Sequence, residues 1–198
     1  MHLPQLSDRS TVDQSVWNAF RQGSKADFEN IYRQHIQELF HYGIKIHSHA
    51  PLVKDAIQGL FVELWNQRAS LSSTDKIKYY LFKALRLKIY RELKSQTYRH
   101  QQQENYFERE NVASAETKII ETESQEERRQ RLGKAMTALP PRQKEVLHLL
   151  YSEELSYEQI AELMAINVAS VYTLAWKALA SLKRLLVVLS LFFTYLLN

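Results

Sequence analysis

The sequence predicts an all-α protein: two small helical domains joined by an acidic linker. Three observations lead there. Four glycines and four prolines in 198 residues are too few for the tight turns of a sheet-rich fold. Apolar residues recur at three- and four-residue spacing along most of the chain, the period of helices with one buried face. Charge is segregated: from Lys76 to Arg99 eight lysines and arginines face one glutamate, a net +7, and from Gln101 to Glu127 eight glutamates face one arginine and one lysine, a net −6. A basic helix followed by an acidic tether points to a polyanionic partner on one side and a solvated linker on the other.

Taken in order, the first helical pattern runs from Asp13 to about His47. Val16, Trp17 and Phe20 form one apolar cluster, Gly23-Ser24 breaks the run, and Phe28, Ile31, Tyr32, Ile36, Leu39 and Phe40 resume it. A short loop at Ser48 to Pro51 leads to a second helix whose stripe is Ile57, Leu60, Phe61, Leu64 and Trp65. A Ser-rich turn from Ser70 to Thr74 then precedes a third helix from about Ile77 to Gln96, with Leu81, Phe82, Leu85, Ile89 and Leu93 facing inward. Gln101 to Glu127 holds no sustained stripe and reads as linker.

The second domain begins near Arg128. Pro140-Pro141 ends one helix and lets another start at Arg142, with Val146, Leu147, Leu149 and Leu150 as its apolar content. Ser156 followed by Gln159 is a capping-box signature that opens a short helix through Met164. Ala165-Ile166 forms a turn, and Asn167 is a good N-cap for a last helix whose inward positions are Val171, Ala175, Ala178, Leu179 and Leu182. A short helix, a three- to four-residue turn and a capped helix make a helix-turn-helix. The expected boundaries are 1–99, 100–127 for the linker, 128–186, and an apolar tail at 187–198.

Composition excludes several functions. With no cysteine there is no disulfide framework, thiolate zinc site or cysteine nucleophile, and a cytoplasmic setting fits. Asp8, Arg9 and Asp13 interrupt the first twenty residues, so no secretory signal is expected. His35, His41, His47 and His49 form no i, i+4 ligand pair with a carboxylate, and there is no Gly-rich phosphate loop or nucleophile elbow. Neither a metal, a cofactor nor an enzymatic activity is expected. The nearly unbroken apolar run from Leu185 to Leu197 would be about 20 Å long as a helix, short of a bilayer core of about 30 Å. It reads as an extension of the last helix that contacts protein.

Two segments in this order carry a family resemblance. One is Asp55-Ala56-Ile57-Gln58-Gly59-Leu60-Phe61-Val62-Glu63-Leu64-Trp65. The other is Leu139-Pro140-Pro141-Arg142-Gln143-Lys144-Glu145-Val146, continuing to Leu155-Ser156-Tyr157-Glu158-Gln159-Ile160-Ala161-Glu162. Over roughly Asp13 to Leu186 the chain resembles the extracytoplasmic-function RNA polymerase sigma factors. The resemblance implies a region-2-like helical bundle followed by a region-4-like helix-turn-helix, and a protein that directs core polymerase to promoters. Gly59 stands where that family usually has an acidic residue, and Leu174 where arginine is common.

The expected site residues follow. Asp55, Gln58, Gly59, Val62 and Asn66 lie opposite the apolar stripe of the second helix, and the resemblance assigns that face to the β′ clamp helices of polymerase. Single-stranded DNA needs cations for its backbone and aromatic faces for unstacked bases. Lys83, Arg86 and Lys94 with Tyr79, Tyr80 and Tyr90 supply both, and the resemblance places the minus-ten element there. A recognition helix meets the major groove through its first turns, so Ala169, Ser170, Tyr172, Thr173, Trp176 and Lys177 are the expected minus-thirty-five contacts. Core polymerase (β′ clamp helices and β flap), promoter DNA and an anti-sigma factor are the partners implied. The rival is a stand-alone helix-turn-helix regulator, which would have no use for the Asp55 segment.

Overall fold

The computed structural model describes the backbone of residues 6–103 and 125–196, and the side-chain surroundings of residues 11–95 and 130–186. Every regular element among the described residues is helical. The chain divides into two compact units, 1–94 and 95–198. Most of the expected linker falls outside the described residues.

The first unit holds α1 (Leu6–Arg21), α2 (Lys25–Ile46), α3 (Ala50–Gln67) and most of α4 (Ile77–Gln103). Gly23 ends α1 by turning the chain at φ +101°, a conformation that costs glycine little. The Ser24 hydroxyl then accepts from the Asp27 N–H to cap α2. His49 caps α3 through Nδ1, which accepts from the Leu52 N–H at 3.3 Å, and Pro51 sits in the first turn, where its missing N–H costs nothing. The expected Ser48–Pro51 loop is therefore shorter by two residues. Two other expectations are corrected: α1 starts at Leu6, ahead of Asp13, and α4 continues past Gln96 to Gln103.

Trp17, Phe20, Ile31, Leu39, Tyr42, Leu64, Leu81, Phe82, Leu85 and Ile89 form the core of this unit. Tyr42 stacks on Phe82 at 4.4 Å, joining α2 to α4. The same two helices are tied by Lys78, which donates to Glu38 at 2.9 Å, while His35 meets the other Glu38 oxygen at 3.0 Å. Burial alone would raise the Glu38 carboxyl, but these hydrogen bonds and charges outweigh it and hold its pKa below the usual value.

Helices α2 and α3 come close together at Gly43, where an added Cβ would run into Cγ1 of Val53. Valine is stiff about χ1 and has nowhere to swing. Gly43→Ala should therefore destabilise this unit by about 1–3 kcal/mol through overpacking, less whatever helix propensity returns. Chemical denaturation would measure this, and a Val53→Ala background should erase most of the loss.

The second unit holds α5 (Gln125–Ala138), α6 (Pro141–Tyr151), α7 (Tyr157–Met164) and α8 (Val168–Leu196). Ala135, Leu139, Val146, Leu149, Ile160, Leu163, Met164, Val171, Ala175 and Ala178 are among its buried apolar residues. The capping box is present: Ser156 Oγ accepts from the Gln159 N–H at 3.2 Å, and the Gln159 side chain accepts from the Ser156 N–H at 2.9 Å. Ala165 makes the turn in the left-handed region, φ +52° and ψ +49°, and the Asn167 side chain accepts from the Ser170 N–H at 2.7 Å to open α8. Leu179, expected to face inward, is instead 43% exposed, because the buried row runs through Val171, Ala175 and Ala178.

Candidate interaction and nucleic-acid-binding faces

Helix α3 separates two chemistries. Ile57, Leu60, Phe61 and Leu64 are buried, while Asp55, Gln58, Val62 and Asn66 are exposed and Gly59 is half-buried between them. Val62 is 53% exposed, an apolar residue on an otherwise polar line. Beside that line, an open groove of about 830 Å³ runs between α2 and α3, walled by Phe28, Tyr32, Phe40, Phe61 and Trp65, with Gln58 at its edge. Its rings interlock, Tyr32 edge-on to Phe61 at 4.9 Å and Phe28 against Trp65 at 5.1 Å. The five expected α3 residues thus share one outward face, and the groove next to it is a feature that the helical period alone does not reveal.

On α4, Tyr79, Lys83, Arg86, Tyr90 and Lys94 follow one another at steps of four, three, four and four. They form a row on the side away from Leu81, Leu85 and Ile89. Lys83 and Lys94 are exposed, and the Arg86 guanidinium lies over the Tyr90 ring at 4.4 Å. Tyr80 is the exception. It falls one position off the row, its ring tilts against Trp17 at 4.9 Å, and burial raises its phenol pKa. Tyr80 is half-buried, like Tyr79 and Tyr90, with its ring against the buried indole of Trp17.

On α8, Ala169, Ser170, Tyr172, Thr173, Trp176 and Lys177 are all exposed, on the side opposite Val171, Ala175 and Ala178. Trp176 is 70% exposed, and Tyr172 stacks on Tyr157 of α7 at 3.9 Å. Ser170, Thr173 and Lys177 line a shallow groove of about 450 Å³ with Asn167 and with Arg142 of α6. Arg142, a cation not among the expected contacts, stands at the start of α6, which the fold brings beside the first turns of α8.

Among the described residues no cluster of three or more potential metal ligands occurs. No single helix among them is long and apolar enough to cross a membrane.

Comparison with known proteins agrees with this arrangement. Residues 129–182 match the family model for sigma-70, region 4. RNA polymerase sigma factor YlaC of Bacillus subtilis (strain 168) is 28% identical, over 79% of this chain and 90% of that protein. Among solved structures, the sigma factor RpoE in complex with the anti-sigma factor NepR from Bartonella quintana superposes with a TM-score of 0.61. It is 22% identical, over 81% of this chain and 96% of that one. CnrH in complex with the cytosolic domain of CnrY gives 0.57 at 18% identity, over 88% and 96%. The region-4 match, a relative aligned along most of both chains and a helical fold shared with solved sigma factors converge: residues 129–182 match sigma-70, region 4, and the chain is similar along most of its length to an RNA polymerase sigma factor.

Proposed function

We propose that this sigma factor divides its work among three faces. The α3 face of Asp55, Gln58, Gly59, Val62 and Asn66 docks on the β′ clamp helices of core polymerase. The α4 row of Tyr79, Lys83, Arg86, Tyr90 and Lys94 holds the melted minus-ten strand. The first turns of α8 read the minus-thirty-five element in the major groove while the second unit sits on the β flap. Residues 1–99 and 128–186 act as the two functional domains, with 100–127 as tether and 187–198 as a protein-contact tail. The tether keeps two weak DNA contacts at high effective concentration, so together they bind far better than either alone.

The observation that carries this reading is the pairing of an exposed polar line with an aromatic groove on α3, in a chain whose other unit matches sigma region 4. A stand-alone regulator needs the helix-turn-helix only. The chain's role is recruitment and strand handling, with catalysis left to the polymerase, and its place of action is the cytoplasm, where polymerase and promoter DNA are. An anti-sigma factor is a third partner. The complexes of RpoE with NepR and of CnrH with the cytosolic domain of CnrY support this by likeness of fold.

The test is direct. Asp55→Lys combined with Gln58→Ala places a charge reversal and a lost amide on the exposed face without touching the core. Affinity for core polymerase should fall by about tenfold or more, as when a complementary charge is inverted at an interface, while the melting temperature stays put. Undiminished affinity in a core-binding titration would remove α3 from the docking surface.

A further inference from the structure

The middle of the α3 docking line is a bare stretch of backbone, and something from another helix occupies it. A Cβ added to Gly59 would lie 2.5 Å from Cε and 3.0 Å from Nζ of Lys88. Lys88 belongs to α4, yet its stem crosses α3 at Gly59 and its ammonium pairs with Glu63 one turn further on. The lysine side chain is 25% exposed and the glutamate 56%, so the pair sits at the surface. Lys88 leaves α4 on the side away from the Lys83–Arg86–Tyr90 row.

We propose that Lys88 is a polymerase-contacting residue: through the gap at Gly59, α4 delivers an ammonium into the docking face of α3. The inference rests on the docking role proposed for that face. An ammonium has three N–H donors and the Glu63 carboxylate needs at most two, so the group can hold its intramolecular partner and meet another. The chemistry it fits is an acidic side chain or a line of backbone carbonyls on core polymerase, flanked by positions that answer Asp55 and Glu63. Glu63 acts as a positioning residue that fixes the ammonium over Gly59. A docking face carrying two carboxylates and one ammonium differs in charge pattern from the two carboxylates, Asp55 and Glu63, that it would present without Lys88. Polymerase contact thereby engages the helix that also carries the DNA row.

The test uses the full chain with core polymerase and three variants. Lys88→Met keeps the apolar stem and removes the charge; core affinity should fall three- to tenfold and depend less on salt. Gly59→Ala is the sharper variant. Alanine suits a helix better than glycine, and the obstacle is the flexible end of a lysine, so this variant should melt at the same or a higher temperature. It should nevertheless bind core polymerase more weakly, because the new methyl pushes Lys88 off its seat. In the Lys88→Met background Gly59→Ala should cause no further loss. Greater stability with weaker binding is an outcome that a purely structural brace would not give. If both variants bind like the parent while Asp55→Lys binds weakly, Lys88 is a brace and the inference falls. If Asp55→Lys also binds like the parent, the docking face itself has been misassigned.

Discussion

Trp17→Ala is expected to cost the first unit about 3–5 kcal/mol, as large-to-small changes of a buried aromatic do. The indole is 0% exposed and lies 5.3 Å from the Phe20 ring and 4.9 Å from that of Tyr80. Its Nε1–H also donates to the Ser72 carbonyl at 2.8 Å, which holds the loop between α3 and α4 against α1. Truncation leaves a cavity that stiff neighbours cannot fill and frees that loop. Trp17→Phe separates the two effects: it keeps much of the packing, loses the hydrogen bond, and should cost less than the alanine. Because a domain is stable by only about 5–15 kcal/mol, the alanine variant should unfold at markedly lower urea concentration. Equal midpoints for Trp17→Ala and the parent would show that the indole contributes little to the core.

Replacing Lys83, Arg86 and Lys94 together with alanine should give the largest functional loss. The three stand on the solvent side of α4, away from Leu81, Leu85 and Ile89, so the fold should persist. Each cation that neutralises a single-strand phosphate contributes about 0.7 to the slope of log affinity against log salt. Losing all three should therefore flatten that slope by about 2 and sharply reduce open complexes at physiological salt. Permanganate reactivity of the melted region is the readout. Wild-type footprints from the triple variant would show that α4 does not hold the melted strand.

What could be read from sequence was local. The helix-turn-helix is spelled out by Ser156, Gln159 and Asn167, whose side chains cap helices within three residues of themselves, so no distant partner is needed to recognise them. The α3 stripe was legible for a similar reason, since one helix turn fixes which residues share a face. The end of α4 was not. Residues after Gln96 lack an apolar period, yet the helix continues to Gln103, because extending a formed helix costs far less than starting one. Tyr80 shows a second limit. It borders the basic row by period, and its ring contact with Trp17, 63 positions away in the chain, is not something helical spacing can show. Leu179 lies next to the buried row by period, yet the helices packed on α8 bury Val171, Ala175 and Ala178 and leave it exposed. Lys88 was hidden most deeply, for its reach across Gly59 depends on the packing of two helices and on the length of a side chain.

Helix α8 is one uninterrupted rod of 29 residues. At about 1.5 Å per residue it spans roughly 43 Å, with Ser170, Thr173 and Lys177 towards one end and Leu196 at the other. Such a rod works as a lever. A pivot of about 10° at the groove end sweeps the far end through roughly 7 Å at that length. The converse also holds: a body that grips the last turns sets the angle at which Ser170, Thr173 and Lys177, the proposed base contacts, are presented. The proposed promoter contacts are thus mechanically continuous with whatever handles the far end of α8.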